Sequence, residues 1–130
     1  MSPNLARNIL LVDALVFLGL GVWFLASPGP ALEAVGMILT DARGATEARA
    51  MYGGYEIGTG AFLLACRREP GWLRAGLALT TLILGGLGLT RLIAGALTGG
   101  LVPLMWILLA VEFVGAGVNI WALAKTPRRL

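Results

Sequence analysis

Histidine is absent from this chain, cysteine occurs once, at Cys66, and only 13% of the 130 residues are charged. Without histidine, the commonest ligand for haem, zinc and copper and the commonest general base are missing. A single cysteine cannot close an internal disulfide, which excludes a secreted, disulfide-stapled mini-domain and leaves Cys66 as a reduced, inert thiol. Ordinary soluble domains carry roughly 25% charged residues. About half that share excludes a disordered chain or a nucleic-acid-binding arm, and it leaves too little polar surface to face water at this size. What fills the chain instead is 58% hydrophobic residues and 19 glycines, with a mean hydropathy of +0.84. Lipid is therefore the expected solvent, and the expected fold class is an all-α membrane protein.

Crossing a hydrocarbon core takes about 20 mostly apolar residues in a helix. Runs of that length fall at about 8–26, 46–66, 72–97 and 101–124. They are punctuated by Ser27-Pro28-Gly29-Pro30, by Arg67-Arg68-Glu69-Pro70-Gly71 and by Thr98-Gly99-Gly100. The expectation is a single domain over residues 1–130, with four transmembrane helices in one bundle. The first run is longer than the apolar region of a signal peptide and carries Asp13, so it reads as a retained helix. In the first outer loop, Pro30 followed by Leu32, Val35 and Ile38 or Leu39 predicts a short amphipathic segment lying on the surface, the alternative being a packed loop that only connects. Thr40 or Asp41 is placed to cap an extension of the second span.

Orientation follows from the cations, because loops rich in Lys and Arg stay cytoplasmic. Arg7, Arg67, Arg68, Arg74, Lys125, Arg128 and Arg129 all fall on one side of a four-span chain. The other side has Arg43 and Arg49 set against Glu33, Asp41 and Glu47. Both termini are expected to be cytoplasmic, in a bacterial inner membrane. The cytoplasmic flanks then sum to +6 with Glu69 included, the outer loop to −1 and the span interiors to −2, so the net +3 is a topology signal. It calls for no anionic partner beyond lipid headgroups, and no nucleic acid. Trp23 and Trp106 near the outer ends, and Trp72 and Trp121 near the inner ends, agree with this assignment.

Each span holds one ionisable residue inside its apolar run: Asp13, Glu56, Arg91 and Glu112. An ion at the bilayer centre costs about 3 kcal/mol or more, so such groups face inward and find partners. At 1.5 Å per residue, Arg91 stands about 9 Å below the outer end of its span, Glu56 about 15 Å, Glu112 about 16 Å and Asp13 about 20 Å. Arg91 is thus within reach of both Glu56 and Glu112. Helical spacing gathers Arg49, Tyr52, Gly53, Glu56, Thr59 and Gly60 on one stripe of the second span. Thr81, Gly85, Gly88, Arg91 and Gly95 share a stripe of the third, and Glu112, Gly115, Ala116 and Asn119 a stripe of the fourth. Gly54 with Gly58 adds a small-xxx-small pair for close helix approach. One arginine faces three carboxyl groups, so at least one of Asp13, Glu56 and Glu112 is expected to hold a proton, which opens a proton-linked step. A static network pinning helix register is the competing account.

The run Glu47-Ala48-Arg49-Ala50-Met51-Tyr52-Gly53-Gly54, followed by Gly58 and Gly60, Arg91 late in the third span and Glu112 in the fourth, resembles the bacterial membrane family catalogued as domain of unknown function 4345. The resemblance covers nearly the whole chain, with the E-x-R-x-x-Y-G-G stretch as its most specific part. The Thr98-Gly99-Gly100 turn departs from it by lacking an acidic residue before the glycine. What the resemblance implies is a four-helix membrane bundle without an assigned activity. A more distant likeness, at the level of fold only, is to the small four-helix scaffold protein of fungal ergosterol biosynthesis.

Two functions of different class are consistent with these residues. The first is a non-enzymatic protein that binds a lipophilic or amphipathic ligand, or a membrane partner, at an outward-opening pocket lined by Arg49, Tyr52, Glu56, Arg91 and Glu112. Arg91 would hold an anionic group there and Tyr52 would cover the ligand. The second is a proton-coupled small-molecule transporter acting as a dimer, with Asp13, Glu56 and Glu112 as proton carriers; it is similar to small multidrug resistance exporters in length and in its first-span acid, but the one-sided cations argue for a fixed orientation. No catalytic residue, metal site or cofactor is expected, because no nucleophile has a base beside it. The expected partners are membrane lipids, a lipophilic ligand, and a second copy or another membrane protein.

Overall fold

The computed structural model describes residues 3–127, so Arg128 and Arg129 of the cation set expected to be cytoplasmic lie outside the described residues. Within them the chain is helical, and the turn residues set the breaks. Helix α1 spans Pro3–Ala26, with proline at its first position, where a missing N–H costs nothing. It ends at Ser27, whose φ of −141° and ψ of 65° leave the helical region as the following Pro28 demands. A six-residue helix α2, Pro28–Glu33, follows. α3, Ala42–Ala48, runs without a break through a π-helical turn, Arg49–Gly54, into α4, Tyr55–Arg68. α5 spans Leu73–Thr98 and stops at Gly99, whose φ of +68° suits glycine best. After the extended Val102, α6 spans Pro103–Lys125.

Three helical stretches, Asn4–Ala26, Leu73–Thr98 and Pro103–Lys125, are long and apolar enough to cross a membrane. Their large apolar side chains face outward along much of their length: Val12, Leu82 and Val114 are 61%, 74% and 66% exposed. Exposed apolar surface this extensive marks a membrane protein. The second expected span is not among the three. Its α-helical part, α4, has 14 residues, about 21 Å against a hydrocarbon core of about 30 Å. The rest of that helical run is the π-helical turn and α3, where Thr46, Glu47 and Arg49 interrupt the apolar sequence.

The connection after α1 also departs from expectation. The amphipathic helix does not continue to Ile38 or Leu39; instead Gly36 adopts φ +81°, its N–H bonds to the Glu33 carbonyl at 2.9 Å, and the Met37 N–H reaches back to Leu32 at 3.0 Å. These two bonds form a Schellman stop, which satisfies the last carbonyls of α2. Ala31 and Leu32 are buried, but Ile38 is 83% exposed. Asp41 then caps α3, its carboxylate accepting from the Gly44 N–H at 2.9 Å and pairing with Arg43 at 2.9 Å. The Gly44 amide, and after it the Arg43 guanidinium, hold the exposed Asp41 carboxyl below the usual carboxylate range.

α1 packs along the π-helical turn and α4, and α5 packs along α6. One core joins these elements: Leu10, Ala14 and Phe17 of α1 meet Leu63 and Cys66 of α4, Leu77 of α5 and Ala122 of α6. The α1–α4 contact is close because of Gly60, where a Cβ would stand 2.6 Å from Leu18 Cγ and 3.0 Å from the Ala14 carbonyl oxygen. Gly58 has nothing within 4 Å of its would-be Cβ, and Gly54 meets only its own helix, so the expected Gly54–Gly58 pair is not the packing surface. At the end where α5 begins, Arg74 donates to the carbonyl oxygens of Leu123, at 2.8 Å, and of Thr126, closing the α5–α6 hairpin on the C-terminus of α6.

Candidate functional site

The five residues expected to line one pocket do not all meet: Arg49 and Tyr52 lie in one place, Arg91 and Glu112 pair in another, and Glu56 shares a cleft with Glu112. Arg49 and Tyr52 lie in the π-helical turn and grip the end of α1. Arg49 Nε donates to the Leu25 carbonyl at 3.0 Å, one of the carbonyls that the last turn of a helix leaves without an internal partner. The Tyr52 ring stacks on Phe24 with centroids 5.0 Å apart. A Cβ at Gly53 would stand 2.7 Å from Leu25 Cδ2, so this glycine lets the turn close on α1. The E-x-R-x-x-Y-G-G stretch thus forms a clasp on α1, and Tyr52 also lines a hollow of about 350 Å³ with Leu32, Met37, Glu47 and Met51. Tyr55, the neighbouring aromatic, is half exposed.

Arg91 and Glu112 form the second place. Arg91 Nη2 donates to Glu112 Oε1 at 2.7 Å, and Nε lies 3.2 Å from both carboxylate oxygens. The Glu112 side chain is 7% exposed and that of Arg91 24%. The pairing follows from the hairpin: Arg91 is about 10 Å before the end of α5 and Glu112 about 13 Å into α6, so antiparallel packing brings them level. Gly88, one turn before Arg91, leaves room for the Glu112 stem, since a Cβ there would lie 3.4 Å from Glu112 Cβ. Glu56 does not join this pair. It sits on α4, which packs chiefly on α1, and its Oε2 is buried without a hydrogen-bond partner. The guanidinium of Arg91, expected to hold an anionic group, turns its Nε and Nη2 to the Glu112 carboxylate.

Asp13, Glu56 and Glu112 meet around a cleft of about 490 Å³. The cleft opens between α1 and α6, which make at most slight contact with each other. Its wall is otherwise apolar, with Val16, Phe17 and Leu20 of α1 and Leu84 and Leu87 of α5. Counting from the ends that carry the cations, the three carboxyl groups stand about 15–20 Å along their helices, so they share a level. Among the described residues they do not converge closely enough to hold a metal ion. Asp13 Oδ2, like Glu56 Oε2, is buried with no hydrogen-bond partner.

A second hollow of about 400 Å³ flanks Asp13, with Asn119 on its wall. Asn119 is fully buried; its Nδ2 donates to the Gly115 carbonyl at 3.0 Å, while its Oδ1 has no partner. The sequence puts Asn119 on the stripe of Glu112, but only the packing places it beside Asp13. The cleft therefore offers acceptor oxygens in an apolar wall, an arrangement suited to a molecule with a hydrocarbon body and a polar group that donates hydrogen bonds or carries positive charge.

No curated protein and no solved structure matches the chain. A family model described as domain of unknown function (DUF4345) matches residues 5–123, from the first turn of α1 into the last turn of α6. With the match running through the clasp, the Arg91–Glu112 pair and the cleft, the chain belongs to the DUF4345 family.

Proposed function

We propose that this is a non-enzymatic integral membrane protein that binds a lipophilic or amphipathic ligand in the cleft between α1 and α6. The observation that carries the proposal is the apolar cleft lined by Asp13 and Glu56, each of which has one carboxyl oxygen, Oδ2 and Oε2, buried without a partner. The hydrocarbon part of the ligand lies against α1, α5 and α6, and its donor or cationic group meets Asp13 and Glu56. In this reading residues 42–68 form the fourth membrane helix, giving a four-helix bundle. Arg7, Arg67, Arg68, Arg74 and Lys125 then stand at one end of the helices, which supports cytoplasmic termini in a bacterial inner membrane. Contacts with a second copy or another membrane protein are part of the same proposal, through the exposed apolar faces.

A long-chain amine tests the site. Purified protein in phosphatidylcholine nanodiscs is titrated with dodecylamine and, separately, with dodecanoate, using empty nanodiscs to subtract partitioning. Dodecylamine should raise the Tm, and Asp13→Asn with Glu56→Gln should weaken its binding at least tenfold, about 1.4 kcal/mol. Equal binding of dodecanoate, or unchanged binding by the double variant, refutes the assignment. The same carboxyl groups within apolar helices favour a second reading, a dimeric proton-coupled transporter. It requires a pH gradient to drive uptake into proteoliposomes and Glu56→Gln to abolish that uptake.

A further inference from the structure

The cation-bearing end of the molecule holds a cavity with no role in the cleft. It has a volume of about 340 Å³ and lies between the start of α1 and the end of α4, lined by Asn4, Arg7, Asn8, Arg67 and Arg68. No carboxylate lines it. The neighbouring Glu69 is exposed, and among the described residues the two ion pairs are Arg43–Asp41 and Arg91–Glu112, neither of them here. Arg7 Nε and Arg67 Nε are buried and have no hydrogen-bond partner.

A buried guanidinium N–H without an acceptor is costly, and several cations held together repel one another. Simple solvation at a helix end does not explain why Arg7 and Arg67 both turn such atoms inward. Arg74, at the same end of the molecule, shows the contrast: its guanidinium is satisfied by the carbonyl oxygens of α6.

We infer that Arg7, Arg67 and Arg68 form a binding site for a phosphate group at the membrane surface, with Asn4 and Asn8 as further donors. The guanidinium fork matches phosphate oxygens two at a time. Asn4 belongs to the first turn of α1, so the positive end of that helix faces the same cavity. Basic pockets between membrane helices on the cytoplasmic side are suited to anionic lipid headgroups, and a free phosphate offers the same oxygens. The site stands about 9 Å along α1 from Asp13 and shares no residue with the cleft. It is independent of the amine-binding proposal.

The test uses the full chain in nanodiscs and has two arms. In the first, nanodiscs of phosphatidylcholine doped with phosphatidylglycerol are released into detergent, and the lipid retained by the protein is counted by native mass spectrometry. In the second, inorganic phosphate is added to protein in pure phosphatidylcholine nanodiscs, against chloride at matched ionic strength, and the Tm is followed. The wild-type protein should retain phosphatidylglycerol over phosphatidylcholine, and each of Arg7→Gln and Arg67→Gln should lower that preference about fivefold. Stabilisation by phosphate without phosphatidylglycerol retention assigns the site to a free anion instead of a lipid. Arg7→Lys and Arg67→Lys keep the charge and guard against a folding defect, so retention should survive in part. No phosphatidylglycerol preference and no phosphate effect on the wild-type protein, or full retention by an Arg7→Gln, Arg67→Gln double variant, overturns the inference.

Discussion

Breaking the Arg91–Glu112 contact should be costly, and the double variant should recover part of the loss. Arg91→Gln leaves the Glu112 carboxylate, 7% exposed, with no cation near it. Glu112→Gln leaves the guanidinium facing a neutral amide that can still accept one bond in place of the three observed. Removing one partner of a buried pair typically costs about 3–5 kcal/mol. Because Arg91 is 24% exposed and the pair only partly enclosed, we place the Arg91→Gln loss at about 2–4 kcal/mol and that of Glu112→Gln slightly lower. The double variant carries no isolated charge at this site, so a coupling energy of about 1–3 kcal/mol is expected. Neutral interhelical hydrogen bonds in membrane proteins average about 0.6 kcal/mol, which makes a larger coupling the mark of a charged, two-pronged contact. Reversible unfolding in mixed micelles, titrated with dodecyl sulfate, measures all four corners of the cycle. Costs that add to within about 0.5 kcal/mol would refute the reasoning, since independent sites behave that way.

Gly60 and Gly58 give opposite outcomes although they are two residues apart. Gly60→Ala should cost about 1–3 kcal/mol, because its Cβ meets the Ala14 carbonyl, which cannot move aside as a side chain does. Gly58→Ala meets nothing and should be neutral or stabilising by about 0.4–1 kcal/mol; the same unfolding titration reads both, and equal losses would contradict the packing described. Arg49→Gln should loosen the last turn of α1, seen as faster hydrogen exchange at the Ser27 amide that bonds to Trp23, by about fivefold for a contact of about 1 kcal/mol. It should leave dodecylamine affinity unchanged, whereas a loss of affinity would return Arg49 to the ligand site.

Several features of the site were legible in the residues, and others were not. Arg91 and Glu112 stood out as ions within apolar runs, and the depth of each could be counted from its helix end. Which carboxylate takes the guanidinium could not be counted, since Glu56 and Glu112 are both within reach by depth alone. The stripe Arg49, Tyr52, Gly53 and Glu56 assumed α-helical spacing throughout. The π-helical turn bonds i to i+5 and turns through fewer degrees per residue, so Arg49 and Tyr52 reach the end of α1 while Glu56 faces the cleft. Helical spacing did separate Gly60, which shares a stripe with Gly53 and Thr59 and packs, from Gly58, which lies off that stripe and does not.

The sequence by itself determined the solvent, the helical state and most of the breaks. Those depend on the chemistry of short stretches: apolar length, proline at Pro3, Pro28 and Pro103, glycine at Gly99, and a carboxylate at Asp41 to cap α3. The tertiary structure alone decided that α1 pairs with α4 and α5 with α6, leaving the α1–α6 side open. That choice sets Arg91 on Glu112, leaves one carboxyl oxygen of Asp13 and one of Glu56 without a partner, and turns Arg7 and Arg67 into one cavity. The physical reason is that helix periodicity fixes which residues share a face, whereas the neighbour each face meets is set by the fit between residues far apart in the chain.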